Sequence, residues 1–159
     1  MPLRNALKPV LVGGLIAGTL DLTAACVSAW LRSGTTPIRV AHFIASGAIG
    51  QSSAFAGGYK SALLGVAFHF LIATVATAVF YLASRGLHLL IQWPVPMGLL
   101  YGVLVYLFMN FVVLPRSAIT QRGTPTLSSR VIAALIIMFF VGLPIALIVR
   151  RYSAVRSFQ

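Results

Sequence analysis

One carboxyl group and one imidazole stand inside long apolar runs, and these are the residues best placed to do chemistry. Asp21 is the single acid in 159 residues, and it falls in the middle of the run Pro9 to Leu31. His69 lies inside a second run, Ser61 to Ser84. Asn110, with Tyr106 one turn earlier, lies inside a third, Pro94 to Leu114. A charged side chain at the centre of a bilayer costs roughly 2.5–3.5 kcal/mol on insertion scales. Asp21 is therefore expected to face other helices, and to be protonated or paired. Histidine is the natural partner, because it changes charge near neutral pH.

Spacing gives that partnership a geometry. Asp21 precedes Leu31 by ten residues, about 15 Å of helix. His69 follows Ser61 by eight, about 12 Å from the same side of an antiparallel pair. The two side chains are expected at similar depth and in contact. Asn110 is four residues from Leu114, about 6 Å from that end, and is placed to cap the polar cluster or to bond the segment Ser33–Gly58. Small residues surround these positions: Gly14, Ala17, Gly18, Ala24, Ala25 and Ser28 around Asp21, and Ala62, Gly65, Ala73 and Ala76 around His69. Gly14–Gly18 and Gly98–Gly102 are GxxxG steps, which let helices approach closely in lipid. Gly14, Gly18, Gly65, Gly98 and Gly102 are thus the expected helix-packing glycines.

Two roles for the cluster Asp21, His69, Asn110 and Tyr106 stay open. It can be interhelical hydrogen bonding, at about 0.6 kcal/mol per bond. It can also be a proton- or ligand-responsive site. A metal or haem reading lacks a ligand set, since His42 is interfacial and His88 lies beyond the far end of the second run. The expectation is no metal and no cofactor. No nucleophile–base–orienter set, phosphate loop or zinc signature is present, so no catalytic residue is assigned.

The elements that hold these groups follow from composition. The chain is 59% hydrophobic and 8% charged, against about 25% charged in a soluble domain. Four runs are long enough to cross a hydrocarbon core of about 30 Å: 9–31, 61–84, 94–114 and 129–149. Trp, Tyr, Lys and Arg mark their ends as interfacial anchors. They lack the alternation of barrel strands, so helices are expected. The predicted fold is all-α, a bundle of four transmembrane helices forming one integral membrane domain over 1–159. Gly142-Leu143-Pro144 predicts a kink in the fourth, otherwise apolar, helix.

Between the first two runs, Thr36-Pro37 reads as an N-cap with proline at the first helical position. An amphipathic helix over about 37–50 follows, too short to span. Val40, Phe43, Ile44 and Ala48 form one face, and Arg39, His42 and Ser46 another. It is expected in the interface or re-entering partway. Gly47, Gly50, Gly57 and Gly58 allow turns after it. Residues 117–128 read as a polar loop with a turn at Gly123-Thr124-Pro125. No repeat is evident.

Twelve Lys and Arg against one acid give a net charge of +11. They cluster at the ends of apolar runs and not on one helical face, which suits anionic lipid headgroups and not nucleic acid. The single cysteine, Cys26, falls inside the first apolar run and fits as a small packed hydrophobe. The run 9–31 is too long for a cleavable signal, and Asp21 spoils the lipobox-like Leu22–Cys26. Flanking charges tie at six against six. Arg4 and Lys8 ahead of the first helix favour termini in the cytoplasm.

Gly13–Asp21, Ile44-Ala45-Ser46-Gly47, Ala54–Gly58, His69-Phe70, Tyr101-Gly102 and Met109–Pro115 together resemble a family of small uncharacterised bacterial multi-pass inner-membrane proteins, loosely YagU-like. The resemblance covers most of the chain. It implies a bacterial inner-membrane location and supplies no activity. Three functions follow from the residues. The first is a non-enzymatic accessory subunit packing against other membrane proteins or itself. The second is a small proton-linked permease using Asp21 and His69. The third, which has little support, is a lipid-acting enzyme with His42 or His69 as base.

Overall fold

A computed structural model describes residues 4–119 and 126–154. The expected turn at Gly123-Thr124-Pro125, and the flanking Arg122 and Arg156, lie outside the described residues. The described residues are helical, with no strand among them. Four helical stretches are long and apolar enough to cross a membrane: Leu7–Ser33, Gly58–Gly86, Pro94–Arg116 and Leu127–Ser153. They cover the four expected runs and extend past most of their ends. Leu15, Leu63, Leu71, Phe111 and Leu135 stand exposed on their outer faces. Hydrocarbon satisfies such faces and water does not.

The first span is α1 (Arg4–Ser33), and the second is α4 (Gly58–Gly86). Between them come α2 (Pro37–Ile49) and α3 (Gln51–Ala56). A short α5 (Leu89–Gln92) leads to the third span, which is α6 (Pro94–Phe108), a π-helical segment π1 (Met109–Val113) and α7 (Leu114–Arg116). The fourth span is α8 (Leu127–Ile137), π2 (Met138–Gly142) and α9 (Leu143–Ala154).

Glycine and threonine set the pairing of spans. Gly13 faces Thr77, Gly14 faces Thr74, and Gly18 faces Phe70 and Ala73, so α1 and α4 meet almost backbone to backbone. Gly98 and Gly102 face Leu143 and Met138 of the fourth span. Gly142 lies against Gly98 and Gly102 in return. The fourth span is therefore not plain apolar filling, because its Gly142 completes a three-glycine contact. Gly65 does not serve the α1–α4 seam. It receives the backbone of α2 at Ala41 and Ala45.

The expected kink at Gly142-Leu143-Pro144 is a π-segment. Leu143 N–H donates to Met138 O, five residues back, and Leu114 N–H donates to Met109 O in the same way. In both places the next residue is proline: Met109-Asn110-Phe111-Val112-Val113-Leu114-Pro115 and Met138-Phe139-Phe140-Val141-Gly142-Leu143-Pro144. The two heptapeptides agree at five positions, so a short repeat does exist. A proline ring clashes with the carbonyl four residues back, and its nitrogen has no hydrogen to donate. Widening the preceding turn to a π-bulge accommodates both defects.

The α2 helix sharpens another expectation. Its Arg39, His42 and Ser46 share a helical stripe but not an environment. His42 and Ser46 are buried with Ala41 and Ala45, while Arg39 and Phe43 are exposed. The buried polar atoms are satisfied at once: Ser46 Oγ donates to Phe43 O at 2.6 Å, and His42 Nε2 donates to Gly58 O at 2.9 Å. Small satisfied residues can approach α4 closely, whereas Phe43 cannot. Thr36 occupies the N-cap position ahead of Pro37 without a side-chain cap bond. Of the four expected turn glycines, Gly50 and Gly58 have positive φ, at 78° and 55°. Gly47 stays helical, and its carbonyl accepts from Ala118 N at 3.1 Å, tying α2 to the end of the third span.

The glycine contact between spans three and four yields a stability prediction. A methyl on Gly142 would collide with backbone atoms of Gly98 and Gly102, whereas one on Gly86 meets nothing within 4 Å. Gly142→Ala should cost about 1–3 kcal/mol, the range for overpacking. Gly86→Ala should leave stability unchanged or slightly raised. Unfolding in mixed micelles, followed by circular dichroism, measures both.

Candidate functional site

The bundle has a packed core at one end and a cavity nearer the other. Ala17, Phe80, Tyr81, Val141, Ile145, Ala146 and Val149 form the packed core. Tyr101 braces it from the third span. Its hydroxyl donates to Ala76 O at 2.7 Å, and its ring meets Phe80 edge-on with centroids 5.0 Å apart. Toward the end carrying α2, residues of all four spans and of α2 line a cavity of about 420 Å³. Small-molecule sites generally occupy about 300–1,000 Å³.

Asp21 lies on the α1 wall of this cavity, one helical turn from Ala17 of the core, and the cavity continues past it to Ala73, Ala76 and Val141. From Asp21 the α1 wall continues through Ala25 and Ser28 to Arg32. Those positions follow one another at four, three and four residues, a single helical stripe. Arg32 is exposed at the outer end, with Nε donating to Ser28 O at 3.2 Å. The stripe thus joins a cation at the membrane surface to the acid within. Phe43 and Ile44 of α2 close part of the mouth, and Ile136 and Ile137 give the fourth span's apolar wall.

His69 lies beside Asp21, as their equal depth predicts: Nε2 is 3.9 Å from Oδ2. Its shorter contact is with the backbone. Nε2 lies 2.9 Å from Gly18 O. A carbonyl oxygen can only accept, so Nε2 carries the hydrogen and donates it to α1. Gly18 makes this reach possible, since a methyl there would strike Phe70. The expected pair is consequently looser than a hydrogen-bonded one. Among the described residues no hydrogen bond reaches the Asp21 carboxyl, which is 22% exposed to the cavity.

Asn110 and Tyr106 line the same cavity from the third span. Asn110 does not bond to α2 or to Asp21. Its Nδ2 donates to Tyr106 O at 2.8 Å, one turn back in its own helix. This bond sits at the start of π1, where the regular ladder is interrupted. Arg39, His42 and Ser46 stand apart from the cavity. His42 and Arg39 pack instead around Phe55, with ring centroids 5.5 Å apart and the guanidinium 5.9 Å above the ring. Among the described residues no three His, Cys, Asp or Glu gather as metal ligands. Cys26 is a free thiol outside this cavity.

Sequence reasoning missed Tyr101, Arg32 as a cavity residue, and π1. Arg32 was legible in its spacing from Asp21, but an arginine ending a span reads first as an anchor. Tyr101 gives no such signal, because its hydrogen-bond acceptor is a backbone carbonyl.

The His69 assignment is directly measurable. Nitrogen-15 NMR of histidine-labelled protein, with His69→Gln to identify the signal, should show neutral His69 protonated at Nε2. A neutral Nδ1–H form would break the bond to Gly18 and this arrangement with it.

Comparison with family models, curated proteins and solved structures finds no match to this chain.

Proposed function

We propose that the protein is a small proton-linked permease of the bacterial inner membrane, with Asp21 as the proton-carrying group and His69 as its neighbour. The observation that carries this reading is the cavity whose α1 wall runs from Arg32 at the end of the span to Asp21, an acid 3.9 Å from His69 and without a hydrogen-bond partner among the described residues. A purely structural carboxyl in lipid gains from being paired or enclosed, because unpaired polar groups there are costly. Asp21 is instead left facing a cavity, as a group that exchanges protons or ligands must be.

Each side chain then has a task. Asp21 takes up and gives up the proton. His69, anchored to Gly18, sets the local field and limits the carboxyl's freedom on one side. The Phe80–Tyr101 contact closes the path beyond Asp21. With the termini in the cytoplasm, the Arg32 end of the cavity lies toward the outer face, and the packed core lies toward the inner one. The accessory-subunit reading rests on the small size, the two GxxxG steps and the absence of a catalytic set; both GxxxG steps pack within this bundle, so the cavity favours the permease.

Proteoliposomes enclosing a pH-sensitive dye test the proposal under an imposed membrane potential. The protein should pass protons, and Asp21→Asn should slow them by about tenfold or more, equivalent to ~1.4 kcal/mol. Equal flux with and without Asp21 would remove the proton-linked function and leave the accessory-subunit reading.

A further inference from the structure

We infer that the ligand of this cavity is a small lipophilic amine, bound as its ammonium ion at Asp21 in exchange for a proton. The inference rests on the proton-linked reading and adds the substrate class.

The first support is the state of the carboxyl. The N–H nearest to it, on His69 Nε2, is committed to Gly18 O at 2.9 Å and stands 3.9 Å from Asp21 Oδ2. The carboxylate's acceptor sites are open toward the cavity. An ammonium supplies both opposite charge and several N–H donors, the strong form of hydrogen bond.

The second support is the distribution of charge. Asp21 is the only acid in the chain, so the cavity offers a cation one counter-charge. The titratable or charged groups facing it are His69 from α4, Tyr106 from α6 and Arg32 from its own helix. The side chains that α2 and the fourth span place on the cavity are apolar. A hard metal ion is a poor fit, since it requires about six or more oxygen ligands and this site gives one carboxyl.

The third support is the shape. The walls are largely aliphatic and aromatic, and the volume of about 420 Å³ accepts an apolar body as well as a head. Arg32 at the mouth repels a hydrated cation that has no apolar surface to bury. A lipophilic amine regains that cost through burial of its body. An anionic amphiphile could place its head at Arg32, but its tail would lie against Asp21 and leave the carboxyl unpartnered.

The exchange balances without a redox partner. The O–H bond of the Asp21 carboxylic acid breaks and the proton leaves to water. The ammonium takes its place as an ion pair, so the cavity keeps the same net charge and no covalent bond forms to the ligand. Proton and amine therefore compete for one group.

Three naphthyl probes of matched body test this on the full chain in detergent: 1-naphthylmethylamine, 1-naphthalenemethanol and 1-naphthylacetate, followed by their fluorescence anisotropy. The amine should bind at least about tenfold tighter than the alcohol. Its affinity should fall by up to about tenfold per pH unit once Asp21 is protonated. Asp21→Asn should reduce the amine to the alcohol's affinity, and Asp21→Glu should retain its preference. Gel filtration and circular dichroism confirm that both variants fold. Preference for the acetate, abolished by Arg32→Gln, would overturn the proposal in favour of an anionic amphiphile. Equal binding of all three probes, unaffected by Asp21→Asn, would reduce the site to an apolar cavity. If no probe binds while proton flux still depends on Asp21, the amine class falls and the proton-linked reading survives. If that flux is absent as well, both fall.

Discussion

The hydrogen bond from His69 to the carbonyl of Gly18 fixes the polar centre of the bundle. It needs a helix carbonyl with no side chain shielding it, and a partner backbone close enough for an imidazole to reach. Gly14 and Gly18 on α1, against Thr74 and Ala73 on α4, meet both needs. With Nε2–H committed to the backbone, Asp21 is left beside an imidazole that touches it without filling its acceptors. The openness of the site is thus a product of tight packing one turn away. Loosening the α1–α4 seam would free His69 to pair with Asp21 and close the site chemically.

The two halves of the membrane domain are built on different principles. The core half packs aromatic and branched side chains around Ala17, as a soluble core does. The cavity half is held by its edges: α2 against Gly65, and Gly47 O against Ala118 N where α2 meets the end of the third span. Both π-segments contribute to the cavity wall, Met109 and Asn110 from π1 and Val141 from π2. A π-bulge adds a residue to one turn and displaces the side chains beyond it, which suits a wall that must curve away from its neighbours. Proline stabilises the choice at each site by making a regular α-turn unfavourable there.

Much of the frame was legible in sequence, because lipid imposes simple rules. Span length, apolarity and anchoring residues locate all four transmembrane helices. Depth counting brings Asp21 and His69 together, since 1.5 Å per residue holds along straight helices. The packing of α2 was not legible for a physical reason. Polarity does not predict which residues of an interfacial helix face the bundle, because in a membrane protein small size and internal hydrogen bonding decide which face packs. Ser46 and His42 bury because Phe43 O and Gly58 O satisfy them. Gly65 looked like part of the α1 seam because its spacing from His69 is helical, and spacing alone does not say which neighbour arrives. The repeated heptapeptide escaped notice because seven residues in two antiparallel helices form no periodic unit.

A path beyond Asp21, which the permease proposal requires, would have to pass the Phe80–Tyr101 contact. The barrier there is local: the Tyr101 hydroxyl on Ala76 O and the Phe80–Tyr101 ring contact. An interhelical hydrogen bond in a membrane protein is worth about 0.6 kcal/mol on average, and an aromatic pair about 0.5–1.5 kcal/mol beyond its area. Separating these groups therefore costs little beside parting the glycine seams, where whole backbones are in contact. The seams of α1 on α4, and of the third span on the fourth, can remain intact while a Tyr101 side chain swings. Under the proposed permease function, a bundle made this way would gate with side chains and keep its helices paired. Four spans are few for a transport path, and on the permease proposal this division of labour is what would let so small a bundle provide one.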